Sequence, residues 1–186
     1  MKRFFDLSLA VIIFILLFII IIFIVVLVKL SSKGPVLYWS DRVGKNNKIF
    51  KMPKFRSMLI ETPTLPTHLL DKPDSYLSPV GSFLRQYSLD ELPQLFSVLI
   101  GDMSFVGPRP ALYNQDDLIK LRSQKSLDNL LPGITGWAQV NGRDELSIPD
   151  KVALDEEYLN HQSFWFDIKI LCMTFSKVFT RDGVSH

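Results

Sequence analysis

Two adjacent carboxylates, Asp90 and Glu91, are the side chains of this sequence best suited to chemistry. They stand at the start of a run whose apolar residues recur at helical spacing, and the helix dipole keeps an acid ionised there. An ionised carboxylate can attack phosphorus or bind a divalent cation. Neighbours on a helix point in different directions, so one acid would be a nucleophile and the other a metal ligand. Magnesium is the natural metal, because it prefers oxygen ligands.

The same stretch has a purely structural interpretation. Ser88-Leu89-Asp90-Glu91 has the form of a capping box, in which a Ser hydroxyl and a Glu carboxylate satisfy backbone N–H groups at a helix start. Acidic residues are also ordinary in a first helical turn. The residues alone therefore favour a helix cap, with catalysis as the alternative.

Phosphate chemistry also requires fixed positive charge, which arginine supplies best because its planar fork pairs with phosphate oxygens. Arg85 lies one turn before the acidic pair, Arg109 is held between Pro108 and Pro110, and Arg143 ends a turn-rich Asn-Gly-Arg. Each arginine taken alone is more typical of a solvated surface. The glycines form neither a P-loop nor a dinucleotide fingerprint, so they do not establish nucleotide binding.

An uninterrupted apolar run from Leu7 to Val28 must place these residues at a membrane. It contains no charge, proline or glycine, and as a helix it would reach about 33 Å, close to the thickness of a bilayer core. It is too long for a signal peptide, and no cleavage site follows it. More basic residues follow the run than precede it, so the positive-inside rule predicts a cytoplasmic domain after Lys29.

The remaining composition indicates one compact domain. The chain has 186 residues, and its net charge of +2 and lack of a dense basic stripe argue against nucleic-acid binding. A single cysteine, Cys172, excludes an intramolecular disulfide and Cys-rich zinc sites.

Local patterns predict a β-hairpin from PVLYWS and KIFKMPKF, followed by a proline-rich loop over residues 60 to 79. Apolar spacing predicts a buried helix that starts near Asp90 and stops at Gly101. Further helices are expected over residues 111 to 128, 151 to 160 and 164 to 179. The last has a broad apolar face, which suits either core packing or the membrane interface.

Several long motifs resemble the bacterial sugar transferases called monotopic phosphoglycosyl transferases. They are LDELPQLFSVLIGDMSFVGPRP, LPGITGWAQVNGR and the closing FDIKIL with RDGVS. The resemblance runs from the start, Lys2-Arg3-x-x-Asp6, through KIFKMPKFRSM to the C-terminus. Such ordered motifs over nearly the whole chain reverse the preference for a helix cap.

The resemblance implies a reaction and its site. Asp90 would form a covalent phosphosugar intermediate from a UDP-sugar and release UMP, and undecaprenyl phosphate would then take the sugar phosphate. Glu91 would support Mg²⁺ binding, with Asp90 as the other candidate ligand. This step would begin the assembly of a capsule, O-antigen, exopolysaccharide or glycoprotein glycan. The residues implied to bind substrate are Arg56, Arg85, Arg109, Arg143, Pro108 and Pro110.

The family's N-terminal helix is expected to enter one leaflet and turn back at a Ser-Pro pair. This sequence has Leu17-Phe18-Ile19-Ile20 there, without a helix breaker. The unbroken length favours a spanning helix, whereas the resemblance and the basic residues at both ends favour a re-entrant one.

Together these patterns predict a mainly helical α+β fold. Residues 1–30 would form the membrane-embedded helix, re-entrant or spanning. Residues 31–186 would form a small catalytic domain with a β-hairpin and amphipathic interfacial helices, on the cytoplasmic face of the bacterial inner membrane. The expected partners are the UDP-sugar, undecaprenyl phosphate and the bilayer, with glycan-pathway enzymes or a second copy as further candidates. The alternatives are a membrane-anchored Mg²⁺-dependent phosphodiesterase and a non-catalytic scaffold. No residue specifies the sugar.

Overall fold

The computed structural model describes residues 1–60, 62, 73–142 and 145–180. Helices and short strands alternate along them, in a mixed fold as predicted. The helices are α1 Lys2–Ser31, α2 Gly81–Gln86, α3 Gln94–Ile100, α4 Asp116–Gln124, α5 Trp137–Val140, α6 Ile148–His161 and α7 Phe164–Thr180. The strands are β1 Leu37–Val43, β2 Ile49–Phe55, β3 Ser104–Val106, β4 Ala111–Leu112 and β5 Gly133–Thr135. Short 3₁₀ turns lie at Lys45–Asn47, Pro73–Tyr76, Leu89–Glu91 and Leu127–Asn129.

The predicted β-hairpin is confirmed. β1 and β2 pair antiparallel from Leu37 opposite Phe55 to Val43 opposite Ile49, and β4 adds to the other edge of β1. The connection turns through Asn46 and Asn47, whose φ angles of 55° and 57° are left-handed, a conformation that asparagine tolerates better than most residues. The hairpin contributes Met52 and Phe55 to the buried core clusters of the domain.

The predicted helices are confirmed in place but not in every boundary. The helix expected over residues 111 to 128 is shorter, because Ala111 and Leu112 pair with β1 and helix α4 ends at Gln124. Helix α6 begins earlier than expected, after Ser147, whose hydroxyl accepts the Asp150 N–H at 3.3 Å. The sequence did not predict the parallel pair β3 and β5. Most of the proline-rich loop lies outside the described residues.

Helix α1 is continuous over thirty residues, without a break between Leu17 and Ile20. By length and composition alone it could cross a membrane. Its central side chains are largely exposed, with Leu16 and Ile19 at 73% and 80%. An exposed apolar surface of this size is not stable in water and indicates contact with lipid.

The N-terminal end of α1 is fastened to the domain by polar side chains, which we call the N-terminal clasp. Its members are Lys2, Arg3 and Asp6, and their partners lie far along the chain. Lys2 donates to Asp167 Oδ2 (2.5 Å), Arg3 donates to the carbonyls of Val98 (2.5 Å) and Leu99 (2.9 Å), and Asp6 accepts from the Ser104 hydroxyl (2.9 Å) and the Phe105 N–H (3.3 Å).

The C-terminal end of α1 packs on the same domain. Ile24 and Val28 are buried against Phe55 at the end of β2 and Leu84 in α2. Both ends of the helix therefore contact one folded body. A helix that carried Lys2 across a bilayer, away from the domain, could not make these contacts.

The main core lies between the clasp and the C-terminal helices. Helix α7 buries Ile170 and Asp167 in the domain while Trp165 and Phe175 remain 77% and 67% exposed. One side of α7 therefore packs on the domain, and the other side leaves large apolar side chains exposed. The buried cluster comprises Ala10, Met52, Leu95, Val98, Met103, Phe105, Val106, Val140, Tyr158 and Ile170.

We expect Asp6→Ala to lower the free energy of unfolding by about 2–4 kcal/mol, because it leaves the Ser104 hydroxyl and the Phe105 N–H buried without their acceptor. Thermal unfolding in a fixed detergent measures the loss. Asp41→Ala is the control, since Asp41 pairs with Lys51 at 3.4 Å on the surface and should cost less than about 0.5 kcal/mol. Equal melting temperatures for both variants would contradict the importance of the clasp.

Candidate active site

The acidic pair lies in the 3₁₀ turn Leu89–Glu91, between α2 and α3. Ser88 has a left-handed φ of 52°, and its hydroxyl caps no helix. Helix α3 begins only at Gln94, after Pro93, whose ring suits a helix start but not a helix interior. The capping box is therefore not formed, and the helix predicted to start near Asp90 starts later. Gly101 ends it in the left-handed region, as predicted.

Asp90 is a buried carboxyl, with 7% of its surface exposed. Burial raises its pKa above the ordinary value, and the charge of Glu91 adds to that rise. The positive charges of Lys54 and Arg85 act in the opposite direction. Asp90 is thus a relatively basic carboxylate among cations, as a nucleophile toward a phosphate ester should be.

Glu91 is held between two cations from distant parts of the chain. Its Oε1 accepts from Lys54 Nζ at 2.7 Å and from Arg109 Nη2 at 3.2 Å. Lys54 lies on β2 and Arg109 lies between β3 and β4. The turn, the hairpin and the Pro-Arg-Pro segment therefore meet at this carboxylate.

The Pro108-Arg109-Pro110 segment is fixed through its backbone. Gly107 approaches the neighbouring chain so closely that an added Cβ would lie 2.3 Å from the Leu131 carbonyl oxygen. Arg122 is itself held by Asp155, at 2.7 and 3.0 Å. The bonds to the segment are Gly133 N–H to Pro108 O (2.9 Å), Arg122 Nη1 to Arg109 O (2.8 Å) and Arg42 Nη1 to Pro110 O (3.2 Å). The guanidinium of Arg109 is thereby presented from a rigid support.

The structure brings together some of the residues expected to bind substrate and not others. Arg85 and Arg109, with the flanking Pro108 and Pro110, lie around the acidic pair. Arg85 also donates to Ser57 Oγ at 3.2 Å. Arg56 follows β2 and lies against the C-terminal end of α1, where its Nη2 donates to the Ser32 carbonyl and hydroxyl, both at 2.8 Å. It makes no hydrogen bond to Asp90 or Glu91. Arg143 lies outside the described residues.

A comparison with known protein families places this geometry. The family described as bacterial sugar transferase matches residues 1–181. The chain belongs to that family.

Individual relatives of this sugar transferase agree. It is 40% identical to the uncharacterized sugar transferase EpsL of Bacillus subtilis, over 100% of the chain and 91% of that protein. It is 41% identical to the UDP-glucose:undecaprenyl-phosphate glucose-1-phosphate transferase of Escherichia coli, over 96% of the chain and 40% of that protein. It is 36% identical to the undecaprenyl-phosphate galactose phosphotransferase of Salmonella typhimurium, over 98% of the chain and 41% of that protein. The chain thus spans about two fifths of the relatives with named substrates.

Two cations of the sugar transferase site were missed from the sequence. Lys54 sits two residues after the buried Met52 on β2, and strand alternation places both on the same face. Arg42 is likewise two residues after the buried Ser40 on β1. Both residues could have been found as basic side chains on the same strand face as a buried residue. The sequence alone, however, does not show which face is buried.

The acidic side chains at this site could bind magnesium only together with the phosphates of a substrate. No cluster of three or more acidic, histidine or cysteine side chains suited to a metal occurs in the part of the sugar transferase that the structure describes. Magnesium, however, is commonly bound through one or two carboxylates together with substrate phosphates. Asp90 and Glu91 would supply those carboxylates.

Proposed function

We propose that this sugar transferase moves a sugar 1-phosphate from a UDP-sugar to undecaprenyl phosphate, through a covalent intermediate on Asp90. The observation that carries the proposal is a buried Asp90 beside a Glu91 held by Lys54 and Arg109. The names of the relatives supply the class of donor and acceptor. The reaction would be the first membrane step in building a glycoconjugate.

In the first step, a carboxylate oxygen of Asp90 attacks the phosphorus that carries the sugar. A bond forms between this oxygen and phosphorus, the bond from phosphorus to the bridging oxygen breaks, and the electron pair leaves with UMP. Negative charge then develops on the departing phosphate, where the Arg109 guanidinium can stabilise it.

In the second step, a phosphate oxygen of undecaprenyl phosphate attacks the same phosphorus. The bond from Asp90 to phosphorus breaks, and the carboxylate is restored. The product is the undecaprenyl diphosphosugar. Asp90 thus divides one transfer into two, each with a charged leaving group that the site can stabilise.

We also propose that Mg²⁺ takes part, held by Glu91 and Asp90 together with the donor. When bound, it would neutralise charge on the diphosphate. The pairing of Glu91 with Lys54 and Arg109 holds its carboxylate in place for this task.

The lipid acceptor requires a site at the membrane surface, and the placement of α1 supports one. Because α1 is unbroken and both its ends contact the same domain, we propose that the helix is embedded in the cytoplasmic leaflet without crossing the bilayer, so that both its ends stay on the cytoplasmic side. Phe4, which is 78% exposed, offers a labelling position. With Cys172 replaced by serine, a cysteine at position 4 should react with an impermeant reagent only after the cells are opened. Labelling of intact cells would overturn this topology.

The proposed reaction is tested by UMP release from detergent-solubilised protein across a panel of UDP-sugars. The assay is run with and without undecaprenyl phosphate and Mg²⁺. We expect one donor to release UMP and to yield a lipid-linked product. Free sugar phosphate without lipid product would instead indicate a phosphodiesterase, and inactivity with every donor would overturn the proposal.

Lys54→Met is expected to move the acid limb of the pH–rate profile to higher pH. The Asp90 pKa is already raised by burial, and Lys54 opposes the rise. The nucleophile is lost as pH falls through this pKa, so removing Lys54 makes the loss begin at a higher pH. The initial rate of UMP release is measured over a pH series, with the exposed Lys51→Met as control. An unchanged acid limb in Lys54→Met would exclude this electrostatic role.

A further inference from the structure

Arg42 is a half-buried arginine with no function in the reaction described so far. It lies on β1, and its guanidinium donates from Nε to Ser40 Oγ at 3.0 Å and from Nη1 to the Pro110 carbonyl at 3.2 Å. Both acceptors are neutral. The positive charge of Arg42 is thus held in place without being neutralised by its partners.

A second guanidinium group, that of Arg109, lies near Arg42. Burial and the nearby Arg109 lower the pKa of Arg42 to about 10, although Glu91 opposes them. Glu91 Oε1 accepts its hydrogen bonds from Lys54 and Arg109 rather than from Arg42. Within the described part of the chain, no carboxylate forms an ion pair with Arg42. Arg42 therefore shares the neighbourhood of Glu91 with a second guanidinium group, that of Arg109.

The guanidinium of Arg42 retains donors for a ligand. A guanidinium has five N–H donors, and the bonds to Ser40 and Pro110 use Nε and one end of the fork. Its Nη2 has no hydrogen-bond partner among the described residues and is not sealed from solvent. An anion that reaches Nη2 would also relieve the repulsion between Arg42 and Arg109.

The two acids indicate which phosphate of a donor would lie here. Arg85 acts on Asp90, Arg42 and Arg109 lie near Glu91, and Lys54 acts on both acids. In a nucleotide diphosphate sugar, the phosphorus under attack lies at Asp90. The second phosphate, joined through the bridging oxygen, would then lie on the side of Glu91, where Arg42 and Arg109 are.

We propose that Arg42 binds, together with Arg109, the phosphate that departs with the nucleotide. This inference rests on the proposed function, because it needs a nucleotide diphosphate sugar as the donor. It assigns β1 a part in substrate binding. It also explains why two positively charged side chains, Arg42 and Arg109, lie close together in a partly buried site. The fork of Arg42 would hold the phosphate by charge-assisted hydrogen bonds.

The test separates the charge of Arg42 from its hydrogen bond to Pro110. Arg42→Gln keeps a donor but removes the charge, and Arg42→Lys keeps the charge but removes the fork. Binding of UMP to the full chain in detergent is measured by calorimetry. We expect Arg42→Gln to weaken UMP binding roughly tenfold to a hundredfold, the loss typical of one charge-assisted contact, and Arg42→Lys to weaken it less. The control, Lys51→Gln on the same hairpin, should bind UMP as the unaltered chain does.

Steady-state kinetics shows whether Arg42 binds the phosphate of the UDP-sugar donor or that of the undecaprenyl phosphate acceptor. Arg42→Gln should raise the KM for the UDP-sugar and leave the KM for undecaprenyl phosphate unchanged. Wild-type UMP affinity in a folded Arg42→Gln variant would overturn the proposal, and so would a rise only in the acceptor KM. Melting temperatures verify folding, and Arg42→Lys serves as the test if the glutamine variant does not fold. UMP binding does not need turnover, so a chain that binds UMP through Arg42 but transfers no sugar would refute the function and not this site.

Discussion

Asp90→Asn is expected to lower UMP release by at least about 10³-fold, because an amide cannot attack phosphorus and the covalent step is lost. The fold should survive the change. Burial raises the Asp90 pKa, so the native structure disfavours the charged form of this side chain. A neutral side chain of the same shape should therefore leave stability at pH 7 unchanged or slightly increased.

Two measurements together isolate the nucleophile. UMP release reports the first step, and mass spectrometry of protein incubated with donor alone reports the sugar phosphate on Asp90. We expect both signals to disappear in Asp90→Asn and both to persist in Asp41→Asn, a matched change at an exposed position. Undiminished UMP release by Asp90→Asn would show that another group attacks phosphorus.

Glu91→Gln is expected to reduce the rate of UMP release by about 10²-fold, of the order seen when one preorganised electrostatic contact is removed. The change withdraws a carboxylate from the proposed magnesium site. It also weakens the anchor that Lys54 and Arg109 share. Both effects act on the stabilisation of charge on the diphosphate.

A magnesium titration distinguishes these two effects of Glu91→Gln. Loss of a metal ligand should raise the Mg²⁺ concentration needed for half-maximal rate, whereas loss of the anchor alone should lower the rate at every concentration. Glu156→Gln is the control, because Glu156 pairs with Lys125 at the surface. A slow variant with an unchanged magnesium requirement would remove Glu91 from the metal site.

The sequence indicated those parts of the candidate site that lie in contiguous motifs. The acidic pair, Arg85 and the Pro-Arg-Pro segment each stand out locally, and the structure gathers them at one place. Local patterns also predicted the hairpin and the main helices. They failed at the acidic turn, where Pro93 delays the helix and Ser88 adopts a left-handed conformation instead of capping it.

The residues that could not be predicted depend on distant pairing. Lys54 and Arg42 lie on one face of the hairpin, and the register of β1 with β2 and β4 places that face toward the candidate site. Strands β3 and β5 have three residues each, too few for alternation to be recognised. The partners of the N-terminal clasp could not be predicted either, because nothing near Lys2 or Asp6 in the sequence indicates them.

The N-terminal clasp also fixes an order of events during synthesis on the ribosome. Helix α1 is synthesised first, but the partners of its side chains are synthesised much later. The Val98 carbonyl lies 95 residues after Arg3, and the Asp167 carboxylate lies 165 residues after Lys2. Contacts between such distant residues form late, because a long loop must close before they can contribute. The nascent helix would therefore enter lipid before its partners exist, and the domain would close around it only when α7 is released. A chain produced without residues 1–31 would be left with a carboxylate, backbone carbonyls and apolar core residues that have lost their partners.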